Sequence, residues 1–110
     1  MKLETSEDSG VLTVRLEGSL DGKTAPEARE QLQRFLAANS KLILDLSGVD
    51  YLSSAGLRLL LVLYRELTAR KGKLALLGVS EDIRTVMLHT GFLSFFTLVQ
   101  SEVEAVEAVS

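Results

Sequence analysis

The sequence predicts an α/β domain, a small mixed β-sheet of about five strands packed with about four helices. Three observations predict it. Short apolar runs bounded by turn residues alternate with longer amphipathic segments. A pair of strand-like segments separated by a Gly-containing turn precedes that alternation. Finally, 110 residues are enough for one core and too few for two, so residues 1–110 read as a single domain.

The elements follow in order. Leu3 to Ser6 and Val11 to Gly18 are the opening strands, and Glu7-Asp8-Ser9-Gly10 is the turn of a hairpin between them. In the second strand Leu12, Val14 and Leu16 alternate with Thr13, Arg15 and Glu17, the pattern of a half-buried strand. Asp21-Gly22-Lys23 is a loop. Thr24 is then the expected N-cap of the first helix, with Pro26 in the first turn and Glu27 at capping-box spacing. Ala28, Leu32, Phe35 and Leu36 form the buried stripe of that helix, which ends near Asn39.

Lys41 to Leu46 reads as a buried strand, and Ser47 to Ser54 as the loop that leads to a helix over Ser54 to Arg70. Lys71-Gly72 closes that helix with a cation and a C′ glycine. Lys73 to Gly78 is the next strand, and Ser80 caps a third helix with Ile83, Val86 and Met87 inward, ended by Gly91. Phe95 to Val99 is the last strand. Ser101 opens a terminal helix with Val103, Val106 and Val109 facing the core. Parallel strands joined by right-handed helical crossovers gather functional loops beyond their carboxyl ends. Two loops fall there: Ser19 to Lys23, and Ser47 to Ser54.

Composition narrows the function. A net charge of −3 and a pI near 5.1 leave no basic footprint for direct binding of nucleic acid. With no cysteine, thiolate chemistry and cysteine-ligated zinc are excluded. Residues 1–10 are polar and acidic, without the apolar stretch of a signal peptide. The longest apolar run, Leu59 to Leu63, falls far short of the ~20 residues of a membrane span. The expectation is a cytoplasmic domain without membrane insertion.

The adjacent hydroxyls Ser53 and Ser54 are the most informative feature. At a helix N-terminus, backbone N–H groups lack internal partners and the dipole favours negative charge. A serine there can cap the helix, bind an anion or carry a phosphate. Nucleophilic catalysis by Ser54 needs a base, and the one histidine, His89, lies late in the third helix at a position suited to capping. Asp45 and Asp50 flank a turn without a third ligand at metal spacing. Gly48 and Gly56 are too sparse for a phosphate-cradling loop, so no cofactor is expected beyond weak, incidental nucleotide affinity at the helix end. Along the helix, Leu57, Leu60, Tyr64 and Leu67 suit the sheet, with Leu59 and Leu63 widening the stripe. Leu61 and Val62, between Arg58 and Arg65 on the other side, either pack under a neighbouring helix or form a docking strip.

The segment Ile43 to Arg58, with Asp45-Leu46-Ser47-Gly48 and Ser53-Ser54-Ala55-Gly56-Leu57, closely resembles the signature of STAS domains of the anti-sigma-factor antagonist family. Gly18-Ser19-Leu20-Asp21 with Thr24-Ala25 is similar to a second family element, and Thr90-Gly91-Phe92 with Phe95-Phe96 to a third. The resemblance implies the STAS fold and a non-enzymatic, phosphorylation-switched binding module. In the family, the serine two positions before the signature glycine is phosphorylated by a partner that is both serine kinase and anti-sigma factor. A PP2C-type phosphatase reverses the step, and the unphosphorylated antagonist binds the partner and frees a sigma factor. Here that serine is Ser54, because Gly56 is the glycine. Ser53 stands where many members carry Asp and is the second candidate acceptor, while Asp21 matches a loop acid near the site. The implied partner surface comprises Asp21, Ser53, Ser54, Gly56, Arg58, Leu61, Val62 and Arg65. The alternative is a STAS subunit of a lipid-transport or signalling assembly, with Ser54 acting only as a helix cap.

Overall fold

A computed structural model describes all 110 residues. Strands β1 (Lys2–Asp8) and β2 (Val11–Leu20) form a hairpin across a two-residue turn, Ser9-Gly10, both residues at positive φ (52° and 81°). There follow α1 (Ala25–Leu36), β3 (Lys41–Leu52), α2 (Ser54–Ala69), β4 (Lys73–Leu77) and α3 (Glu81–Thr90). A 3-10 turn at Leu93–Phe95, β5 (Leu98–Val99) and α4 (Glu102–Val109) complete the chain. This is the mixed five-stranded sheet with four α-helices that the pattern predicts. No helix is long and apolar enough to cross a membrane.

The sheet order is β1-β2-β3-β4-β5, antiparallel in the hairpin and parallel thereafter. Right-handed crossovers that all step the same way place their helices on one face. Accordingly α1, α2 and α3 share one face with the main core, which includes Val14, Leu16, Leu32, Leu44, Leu60, Leu63 and Met87. On the other face α4 covers Val11, Ile43, Ala75, Leu77 and Val99 with Ala105 and Val109.

β3 differs most from the sequence expectation. Rather than ending at Leu46 in a polar loop, it stays paired with β2 through Leu52. Two register shifts make this fit. Arg15 pairs with Asp45 but Glu17 with Gly48, and Gly18 pairs with Val49 but Ser19 with Tyr51, so β3 carries one extra residue at each step. Each bulge moves the inward position on by three, and Leu46, Val49 and Leu52 all enter the main core. Side chains pin both bulges. Ser47 donates its backbone N–H (3.0 Å) and its hydroxyl (2.7 Å) to Asp45 Oδ1, and Arg15 Nη1 reaches Ser47 Oγ (2.6 Å) and Asp45 Oδ2 (3.2 Å). At the second bulge Ser19 Oγ donates to Asp50 Oδ1 (3.0 Å).

Smaller differences from the sequence expectation lie in the second half of the chain. Lys71 rather than Gly72 takes the left-handed conformation after α2 (φ 59°). The expected strand at Phe95 begins only at Leu98, because residues 93–95 turn as a 3-10 helix and Phe95 packs edge-on against Tyr64 (5.9 Å between ring centres). Val86 is exposed on α3. In α4 the buried pair is Ala105 and Val109, which leaves Val103 and Val106 exposed. Positions four apart stack on one face of a helix, and that face is the one turned to β3–β5.

Candidate functional site at the head of the second crossover helix

β2 and β3 end side by side, and the chain turns from Leu52 directly into α2. The Ser53 N–H donates to the Leu20 carbonyl (3.0 Å), which docks the start of α2 against the end of β2. Gly56 permits that approach. A Cβ there would lie 2.6 Å from the Leu20 carbonyl oxygen and 2.7 Å from Leu52 Cδ1. Gly56 is buried, so it serves the site by position and offers no side chain to a partner. Asp21 follows Leu20 immediately, so the loop acid and the serine pair meet at one corner of the sheet.

The two hydroxyls divide their tasks. Ser53 is the N-cap of α2, with extended backbone, and its Oγ accepts from the Gly56 N–H (3.4 Å). Ser54 is the first helical residue. Its side chain is exposed and makes no hydrogen bond within the chain. The premise that Ser54 acts as a helix cap is therefore overturned: Ser53 already occupies the capping geometry.

The Asp21 carboxylate is also engaged. Oδ1 accepts from the N–H groups of Lys23 (2.9 Å) and Thr24 (3.1 Å). The backbone bonds from Thr24 and then Lys23 hold this carboxyl below the usual range. Thr24 stands at the N-cap position of α1, as its sequence position suggests, but its side chain makes no cap hydrogen bond. Its hydroxyl is turned back into the loop, donating to the Ser19 carbonyl (2.7 Å) and accepting from the Asp21 N–H (2.9 Å), and Pro26 in the first turn has no N–H to offer a cap. Asp21 thus orders the loop beside the serines.

From Ser54 the helix surface runs through Arg58, Leu61 and Arg65, at spacings of four, three and four that keep them on one stripe. Ser54, Arg58 and Arg65 are exposed and Leu61 is half-buried. Neither arginine forms an ion pair. Val62, also half-buried, sits one step around the helix and lines a groove of about 440 Å³ between α1 and α2, with Ala55 and Arg58 on its α2 side. Arg29 and Gln33 line the α1 side. Arg29 is a member of this surface that sequence reasoning missed, though its three-and-seven spacing with Pro26 and Gln33 carried the signal. The expected strip is thus divided: Val62 and Arg58 face the groove, while Leu61 and Arg65 lie along the crest. The stripe is basic on a protein of net charge −3. His89 is exposed in the last turn of α3, an element the serine corner does not include.

The arrangement offers an unbonded hydroxyl at the head of a helix, followed by unpaired cations and half-buried apolar side chains. That combination suits docking and reversible modification of the hydroxyl. Comparison with known proteins gives the family. Residues 2–105 match the family model described as STAS domain. A protein of Bordetella bronchiseptica (strain RB50) designated anti-sigma factor antagonist BtrV is 35% identical, over 98% of this chain and 94% of its own length. The crystal structure of an anti-sigma factor antagonist from Mycobacterium paratuberculosis superposes with a TM-score of 0.88 at 27% identity, covering 98% of this chain and 92% of that one. The Bacillus cell fate determinant SpoIIAA, in its phosphorylated form, superposes with a TM-score of 0.73 at 25% identity, covering 96% and 97%.

Proposed function

The chain belongs to the STAS domain family, and from that membership we propose that it is an anti-sigma-factor antagonist switched by a reversible phosphate on Ser54. It is a cytoplasmic binding module without catalysis of its own. Unphosphorylated, it docks through the stripe and groove headed by Ser54 onto an anti-sigma factor that is also a serine kinase, and a sigma factor is released. ATP bound by the kinase is the phosphoryl donor. Ser54 Oγ bonds to the γ-phosphorus as the bond to ADP breaks, and the hydroxyl proton passes to a base of the kinase. A PP2C-type phosphatase hydrolyses the ester with water, which returns the hydroxyl and frees inorganic phosphate.

The observation that carries this reading is the exposed Ser54 hydroxyl, free of hydrogen bonds because Ser53 performs the capping. A phosphate brings roughly −1.5 to −2 charge. At a helix N-terminus the domain accommodates that charge without refolding, whereas a partner surface matched to a hydroxyl and two arginines must desolvate it. The test is phosphopeptide mapping after incubation with a kinase-type anti-sigma factor from the same genome and ATP, paired with pull-downs of Ser54→Ala and Ser54→Asp. Ser54→Ala binds constitutively and takes up no phosphate, and Ser54→Asp loses binding. Phosphate on Ser53 instead, or unchanged binding by Ser54→Asp, overturns the reading.

A further inference from the structure

We propose that Arg58 is the intramolecular partner of the Ser54 phosphate, so that phosphorylation withdraws the leading cation of the docking stripe as well as adding negative charge. The inference rests on the reading that Ser54 carries the phosphate. Arg58 lies four residues after Ser54 on the exposed stripe, a separation that puts Cβ atoms about 5–6 Å apart. Side chains on a helix lean toward its N-terminus, so a long residue at the fourth position covers the one a turn before it. An anion placed N-terminal to a cation at this spacing is the better of the two orders. The guanidinium fork also matches phosphate oxygens in two-point hydrogen bonding.

Nothing in the unmodified chain competes for Arg58. It forms no ion pair, and α2 has no acidic residue in its first turn. The charged groups around this corner are Asp21 and Lys23 on the loop after β2, Asp50 in the second bulge, and Arg29 and Glu30 of α1, which line the same groove as Arg58; Glu30 is paired with Arg34 (3.3 Å). The Oδ1 atoms of both aspartates are engaged, by the loop's own N–H groups and by Ser19 respectively. In the unphosphorylated state Arg58 is open at the mouth of the α1–α2 groove and fits a carboxylate of the partner. In the phosphorylated state it folds back over the first turn.

The experiment uses the full chain with phosphoserine installed at position 54 during translation, so that no kinase is involved. Phosphorus NMR follows the second ionisation of the phosphate, and nitrogen–proton NMR follows the Arg58 Nε–H. The ionisation falls a few tenths of a pH unit below that of the Arg58→Gln protein carrying the same phosphate, and the Arg58 Nε–H shifts as the phosphate titrates. Arg65→Gln, on the same stripe but out of reach, leaves the ionisation where it was. Equal ionisation with and without Arg58 overturns the proposal. So does a change of the same size in Arg65→Gln, which marks the general field of the helix. Failure to find a kinase for Ser54 would sink the proposed function and leave this pairing measurable.

Discussion

Ser53 and Ser54 are neighbours of identical chemistry, yet one backbone step separates a structural hydroxyl from a free one. Ser53 has the extended backbone of a cap and receives the Gly56 N–H, while Ser54 is already helical and bonds to nothing in the chain. Ser53→Ala should therefore cost about 1 kcal/mol of stability, the usual loss for an N-cap. Ser54→Ala should stay within about 0.5 kcal/mol of the parent, as an exposed change without partners does. Urea unfolding of the two variants distinguishes them, and the reverse ranking would exchange their roles. The serine pair was legible in the sequence as a helix head, and the family signature pointed to Ser54 as acceptor. The division of labour was not, because it depends on whether the chain leaves β3 at residue 52 or 53.

At the scale of elements, β3 and α2 form one device. Each bulge advances the inward position from every second residue to every third, so Leu46, Val49 and Leu52 carry the core onward at a period that belongs to neither an ideal strand nor a helix. That is why residues 47–52 read as a loop. An alternation test fails on a strand whose register slips twice. The helices were legible almost to the residue where capping serines stand alone, at Ser80 and Ser101. At Thr24 the helix start was legible too, but not that its hydroxyl would turn back to Ser19 and Asp21 and leave the cap bond unmade. The terminal helix was assigned the wrong face because valines three apart outnumbered the alanine and valine four apart that are buried. The junction of β3 and α2 is tight, since the Gly56 Cα approaches the Leu20 carbonyl. Gly56→Ala forces either the end of β2 or the first turn of α2 to move, and overpacking of this kind costs about 1–3 kcal/mol. Denaturant unfolding should show that loss, and binding to the partner should fall with it, although Gly56 itself is buried.

The whole molecule is acidic, but the exposed stripe from Ser54 carries Arg58 and Arg65. Acid stability follows from the opposite side of the sheet. Burial pushes the Asp45 carboxyl up, but the hydroxyl and N–H of Ser47, with Arg15, outweigh it and hold the group below its usual value. A carboxyl depressed in the folded state contributes stability above its unfolded pKa of about 3.9, and that contribution is lost as pH falls through the lower folded value. Thermal melts of the parent should therefore drop between about pH 4 and pH 2 more steeply than those of Asp45→Asn, which has no such proton to take up. Equal slopes would remove Asp45 from the account. The Asp21 carboxyl is shifted in the same direction, so it acts in the same window.

The sheet order follows the chain without a single exchange. As the chain leaves the ribosome, each new strand meets an edge built just before it, and each crossover helix lands on the face its predecessor began to cover. No strand has to wait with both edges bare for a partner encoded further on, which keeps sequence separations short and exposed strand edges brief. A nascent chain halted after Leu77 has already laid down four of its five strands together with the complete serine corner, Arg58 and the α1–α2 groove. The serine corner and the groove are thus encoded ahead of α3, β5 and α4.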